Sequence, residues 1–101
     1  MNQKQLNQMM KQAQKMQTDM EGAQKELESQ SFTATAGGNA VKVTLKGDKS
    51  VEAIEISKDV IDPEDKEMLE EMIMLAMNNA IEDINKKTES TMGAFTQGLP
   101  F

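Results

Sequence analysis

The first 30 residues of the chain hold an unbroken heptad of apolar side chains, and no other feature limits the fold so sharply. With Leu6 as position a, Leu6, Ala13, Met20 and Leu27 fall at a, and Met9, Met16 and Ala23 fall at d. This is the narrow stripe of a helix that pairs with another helix. The spacing predicts a helix over Gln3–Ser29, about 40 Å long at 1.5 Å per residue. A compact domain of this size has a radius of gyration of only about 13 Å, so the N-terminal end of the rod must project. Two uses of the stripe stay open at this level: packing on the chain's own sheet, or pairing with a second helix, each along a different length.

The same stretch runs against the charge of the whole. The 101 residues carry eleven lysines, no arginine and seventeen acids, for a formal net charge of -6. Residues 1–18 nevertheless contain Lys4, Lys11 and Lys15 and no acid, which leaves an arm of +3 on a body of -9. Lys4, Lys11 and Lys25 share position f and Lys15 lies one turn beyond Lys11, so the charge forms a ridge opposite the apolar seam. With a Debye length of about 8 Å at physiological salt, lysines on a projecting tip are screened from the acids of the body. The glutamines at 3, 5, 8, 12, 14 and 17 are good helix formers whose amides also reach phosphates or base edges. The ridge reads either as an ordinary solvated face or as a contact for an anionic polymer.

Beyond the arm the period changes. Residues 32–36 lead into Gly37, Gly38 and Asn39, a hairpin turn signal, and then Val41, Val43 and Leu45 alternate with Lys42, Thr44 and Lys46. Gly47, Asp48 and Lys49 mark a second turn before Val51, Ile54 and Ile56, whose phase slips by one residue, as at a bulge near Ala53. A three-stranded antiparallel meander is predicted, with Lys42, Lys46, Glu52 and Glu55 on its wet face. Asp62 as N-cap, Pro63 at the first helical position, and Glu64 and Asp65 in the first turn announce a last helix. Its apolar residues, from Met68 and Leu69 through Met72, Ile73, Met74, Leu75, Ala76, Met77, Ala80 and Ile81 to Ile84, reach well round the cylinder. One small sheet cannot cover them all, which implies a second subunit. The domain is placed at residues 1–92, with residues 93–101 a flexible tail unless Phe95, Leu99 or Phe101 finds a groove.

Composition removes most chemistry. Without cysteine or histidine there is no thiolate, and the commonest metal ligand and acid/base catalyst is missing. No glycine-rich phosphate loop or nucleophile motif is present. Asp59, Asp62, Glu64, Asp65 and Glu67 lack the ligand spacing of a calcium loop and suit a helix start. No metal, no cofactor, no small-molecule substrate and no enzymatic activity are expected. Nor is a membrane partner, since no apolar run approaches the ~20 residues needed to span a bilayer and the N-terminus is polar; a cytoplasmic location follows. The ten methionines read as forgiving core filling or as a docking surface for protein.

Three segments carry a resemblance. MKQAQKMQ at residues 10–17, VKVTLKG at residues 41–47, and DKEMLEEMI at residues 65–73 followed by Asn79 and Ala80 closely resemble the YbaB/EbfC family of bacterial nucleoid-associated proteins. The order of helix, three strands and helix matches, as do the glycines before the second strand and the ending Gly98, Leu99, Pro100, Phe101. The resemblance implies an α+β fold assembled as a tweezer-like homodimer whose arms bind duplex DNA with little sequence preference. It implies that the DNA's conformation is altered, with consequences for gene expression and nucleoid organisation. It puts Lys11, Gln12 and Lys15 on the arm, and Met72, Ile73, Ala76 and Ala80 in the buried part of the last helix, where with Met77 they are the expected dimer interface. Lys4 enters from the ridge itself, and Lys86 and Lys87 as cations favoured at a helix C-terminus. A second class stays open: a small acidic dimer that acts as a chaperone or adaptor, holding a partner protein on an apolar surface. The acid-free stretch before Asp19 separates the two, because a DNA arm needs it and an adaptor does not.

Overall fold

The computed structural model describes residues 2–96. It runs α1 (Gln3–Ser29), β1 (Ser31–Ala36), β2 (Val41–Lys46), β3 (Val51–Ile56), two 3-10 turns, and α2 (Lys66–Thr96). The expected α+β order is therefore present. The molecule measures 75 × 22 × 16 Å with a radius of gyration of 20.7 Å, far from the compact value, because α1 projects.

Helix α1 starts where Asn2 accepts a hydrogen bond from the Gln5 amide at 2.8 Å. It ends at Gln30, whose backbone turns extended. The carbonyl of Gln30 then accepts from the Gly47 amide at 3.0 Å, which ties the root of the arm to the turn between β2 and β3. A Cβ on Gly47 would run into the carbonyl of Leu27. Glycine is needed there for close approach, not for an unusual backbone angle. Leu27 is the one buried residue of α1.

The strands form an antiparallel sheet in the order β1-β2-β3. Gly37, Gly38 and Asn39 all take positive φ in the first turn, as the turn signal requires. Val41, Val43 and Leu45 of the central strand face α2 and have no exposure; Ala34 and Ala36 of β1 join them. The phase slip of β3 is a bulge. Leu45 pairs with Val51 but Thr44 pairs with Ala53, so Glu52 is the extra residue. That one insertion keeps Val51, Ile54 and Ile56 opposite Leu45, Val43 and Val41, all on the helix-facing side. The other side is wet as expected: Lys42, Lys46, Glu52 and Glu55 are exposed, Lys42 meets Glu55 at 3.9 Å, and Thr33 and Thr44 share a hydrogen bond at 3.2 Å.

Helix α2 starts one turn later than expected. Asp62 accepts from the Glu64 amide at 3.0 Å and caps a 3-10 turn over Pro63–Asp65; Asp65 then accepts from the Met68 amide at 3.4 Å at the start of the α-helix. Two of the acids are thus helix caps. The far end also differs. The helix runs through Gly93 to Thr96, past the boundary placed at Met92, because the packing of half-buried Met92 and Phe95 offsets the roughly 1 kcal/mol a helical glycine costs. Leu99 and Phe101 lie outside the described residues.

The core is Ala34, Ala36, Val41, Val43, Leu45, Ala76, Ala80 and Ile84, with Phe32, Leu69, Met72, Ile73, Met77 and Ile81 packed partly buried around it. Two expectations change here. No described methionine is buried: Met9, Met10, Met68 and Met74 are exposed, and Met16, Met20, Met72, Met77 and Met92 are half-buried. Branched and small aliphatic residues fill the centre, and thioethers rim it. Ala76 and Ala80, expected at a subunit interface, have no exposed surface. They lie against the chain's own sheet, where a small residue lets helix and strand approach.

Candidate nucleic-acid interface

Helix α1 divides into two lengths. From Leu27 outward its heptad side is progressively uncovered: Leu27 is buried, Ala23, Met20 and Met16 are half-buried, and every residue from Asn2 to Lys15 is exposed. What covers the inner length is the end of α2. Ile84 is the last buried residue of that helix among those described, and residues beyond it lie beside α1. Ala23, Glu26, Leu27 and Gln30 of α1 line one crevice with Lys87 and Thr91 of α2. Of the two uses expected of the seam, helix pairing is met along the inner length, against α2 of the same chain and not against the sheet; the outer length has no partner among the described residues.

The outer length carries the ridge. Lys4, Lys11 and Lys15 span about 16 Å of the helix axis, all exposed, with Gln12 exposed beside Lys11. None of the three makes an ion pair among the described residues. The nearest acid on the helix is Asp19, one turn inward of Lys15. A solvated, unpaired row of ammonium groups keeps its full donor capacity for an external anion.

Lys86 and Lys87 are elsewhere. They sit near the level of Leu27, about 18 Å along α1 from Lys15. Lys86 is paired with Glu82 at 3.2 Å, and Lys87 lines the crevice with Glu26. The structure does not join them to the ridge; their cations lie among acids at the root of the arm. At the β2–β3 turn the Ser50 hydroxyl and amide, donating to the Asp48 carboxylate at 2.5 and 2.9 Å, hold its titration below the ordinary value.

A second surface was only partly legible. Helix α2 packs mainly on β1 and β2, so the helix-facing side of β3 is only partly covered among the described residues, with Ile56 half-buried. Val51 and Ile54 are 49% and 47% exposed although they sit in register with fully buried residues of β2. Met68, Met74 and Leu75 of α2 and Ile61 are exposed as well. The signal in the sequence was the excess of apolar residues; which strand would be left bare was not in it. Met72, Ile73 and Met77, expected at the interface, are half-buried at the border of the core.

Comparison with known proteins gives one consistent set of relatives. The YbaB/EbfC DNA-binding family matches residues 1–99. A nucleoid-associated protein of Agathobacter rectalis is 49% identical over 94 residues, 93% of this chain and 83% of its own length. A nucleoid-associated protein of Lactococcus lactis subsp. lactis is 44% identical over 93 residues, covering 92% and 94%. The crystal structure of an uncharacterized protein from Helicobacter pylori shares the fold, with a TM-score of 0.74 at 19% identity over 95% of this chain and 98% of that one.

Proposed function

The chain belongs to the YbaB/EbfC DNA-binding family, and from that premise we propose that it binds duplex DNA as a homodimer, with low sequence specificity, and alters the conformation of the duplex within the nucleoid. The observation that carries the reading is the outer length of α1, where Lys4, Lys11 and Lys15 stand exposed and unpaired on an acid-free helix. Such a ridge binds by neutralising phosphates and releasing their counterions, while the acidic body is repelled by the same polymer. Low specificity is supported by the side chains available. There is no arginine to grip guanine bidentately, and no tyrosine or tryptophan to stack on single strands. Gln12, between the ridge and the seam, adds an amide that can reach the duplex beside Lys11.

The homodimer is supported by the bare side of β3. Val51 and Ile54 on β3, and Leu75 and Met68 on α2, are exposed apolar side chains that a second copy would cover; Met72, Ile73 and Met77 would contribute through their exposed parts. Two-fold pairing gives two arms and up to six ridge lysines.

The salt dependence of binding tests the reading. Six phosphate contacts at about 0.9 each give a log-log slope of about -5. Replacing Lys4, Lys11 and Lys15 by Gln keeps helix propensity, so the fold should survive while the slope flattens and affinity falls for all sequences alike. Unchanged binding in the triple variant would reduce the ridge to a solvated face and leave Lys86 and Lys87 as the alternative contact. Sedimentation of the unmodified protein as a stable monomer at micromolar concentration would remove the dimer.

A further inference from the structure

The lysine ridge leaves the opposite side of the same helix unexplained. Leu6, Met9 and Met10 are 48%, 53% and 53% exposed, and Leu6, Met9 and Ala13 continue outward the a and d positions that, further in, dock against α2. We propose that this outer seam is the docking site for the same arm of another dimer, in antiparallel orientation, and that the pairing forms when both arms are bound to one DNA duplex. The inference rests on the DNA-binding reading above and adds to it a contact between neighbouring dimers.

Four features select a second arm as the occupant. The seam is continuous with a helix–helix contact that the chain already makes, so the outer surface has the spacing a helix fits. The positions flanking it settle which helix. Gln3 and Met10 fall at e, and Gln5 and Gln12 at g, where charged residues would make two identical helices repel. An amide both donates and accepts, so the glutamines at three of these four positions are complementary to copies of themselves, and Met10 at the fourth is uncharged. The lysines are placed out of the way: Lys4 and Lys11 at f and Lys15 at c point away from the seam, so an arm can hold a phosphate on one side and another arm on the other. Orientation follows from the bulk of the body, which sits at the inner end of every arm; antiparallel pairing puts the two bodies at opposite ends.

The DNA requirement follows from length and charge. Residues 3–15 give less than two full heptads, below the length at which a helix pair holds on its own, and each free arm carries +3. DNA supplies what is missing on both counts, because its phosphates neutralise the ridges and a common duplex raises the effective concentration of one arm for the next.

The test compares two duplexes and two variants. On a duplex with room for one dimer, the unmodified protein and a Leu6→Gln, Met9→Gln variant should bind equally, since neither residue is in the ridge. On a duplex several footprints long, the unmodified protein should bind cooperatively, and the variant should lose the gain, of the order of tenfold, with its Hill coefficient falling to unity. In an antiparallel pair an a position faces a d position, so Leu6 meets Met9 of the other arm and the two copies of Met9 lie about 5 Å apart along the axis. Because the chain has no cysteine, a Met9→Cys protein offers a single thiol, which should cross-link to a second arm on the long duplex and not on the short one or without DNA. Independent binding by the unmodified protein on the long duplex, full cooperativity in the variant, or absence of the cross-link there would each overturn the arm pairing while leaving the DNA-binding reading in place. Failure of the unmodified protein to bind the short duplex would remove both.

Discussion

Residues 3–15 and the sheet with its covering helix are built under different constraints. In the body, Val41, Val43, Leu45, Ala76 and Ala80 have no exposure and each is fixed by its neighbours' volume. In the outer arm no side chain is buried, so packing dictates nothing beyond helix propensity. The lesson is in what remains. Where packing is silent, a sequence that still excludes acids, spaces lysines along one ridge and lines the other side with Leu6, Met9 and Ala13 holds a pattern that the chain's own fold does not require. In the body the same regularity would record only the core.

Paired truncations break the comparison most directly. Ile84→Ala empties a site that is 1% exposed and should cost about 2–5 kcal/mol. Leu6→Ala, in the same register of helical periodicity but on the outer arm, should stay within about 0.5 kcal/mol in the absence of DNA. Denaturant midpoints decide it; a large loss from Leu6→Ala would mean that the arm is packed in the free protein. The junction between the two regions comes next. Gly47→Ala should destabilise by about 1–3 kcal/mol, because the new Cβ meets the Leu27 backbone and not the end of a flexible side chain.

Gly22 offers the opposite sign. It lies inside α1 with open space where a Cβ would go, so Gly22→Ala should stabilise by about 0.5–1 kcal/mol. A loss there would show that the inner arm packs against something further. The smallest effect belongs to Asp48. Its folded carboxyl titrates below its unfolded value because Ser50 donates to the charged form, so the contribution is present above about pH 4, the ordinary carboxylate value, and disappears as pH falls through the folded value. Acid titration of stability should therefore show a slightly smaller fall in Asp48→Asn than in the unmodified protein.

Much of this architecture could be read from residues alone, for identifiable reasons. The heptad marks the bounds of α1 because a long period survives without tertiary help, and the interrupted alternation of Val51, Ile54 and Ile56 announces a bulge near Ala53, found one residue earlier at Glu52, because sheet faces have a strict period of two. The ridge of Lys4, Lys11 and Lys15 was visible for the same reason as the heptad. What was hidden depended on who covers whom. Periodicity marks Ala76 and Ala80 as buried but does not say whether the cover is the chain's own sheet or another subunit. Gly47 looked like an ordinary turn glycine, since nothing local signals that the Leu27 carbonyl, distant in sequence, rests on it. The run of α2 past Met92 was masked by Gly93, whose local cost is offset by packing that sequence does not display.

The contact between Gly47 and the Leu27 carbonyl also has a mechanical side. A rod about 40 Å long held at one end is a lever, and a rotation of about 5° at its root carries the tip through roughly 3.5 Å, close to the 3.4 Å rise of one base pair along a strand. With no side chain at Gly47 to act as a spacer, backbone rests directly on backbone, and the amide of Gly47 is bonded to Gln30 at 3.0 Å beside it. The stiffness of that joint sets how far the lysines at the tip wander. A single glycine in a turn of the sheet thus governs the calibre of the gap that two such arms would leave between them.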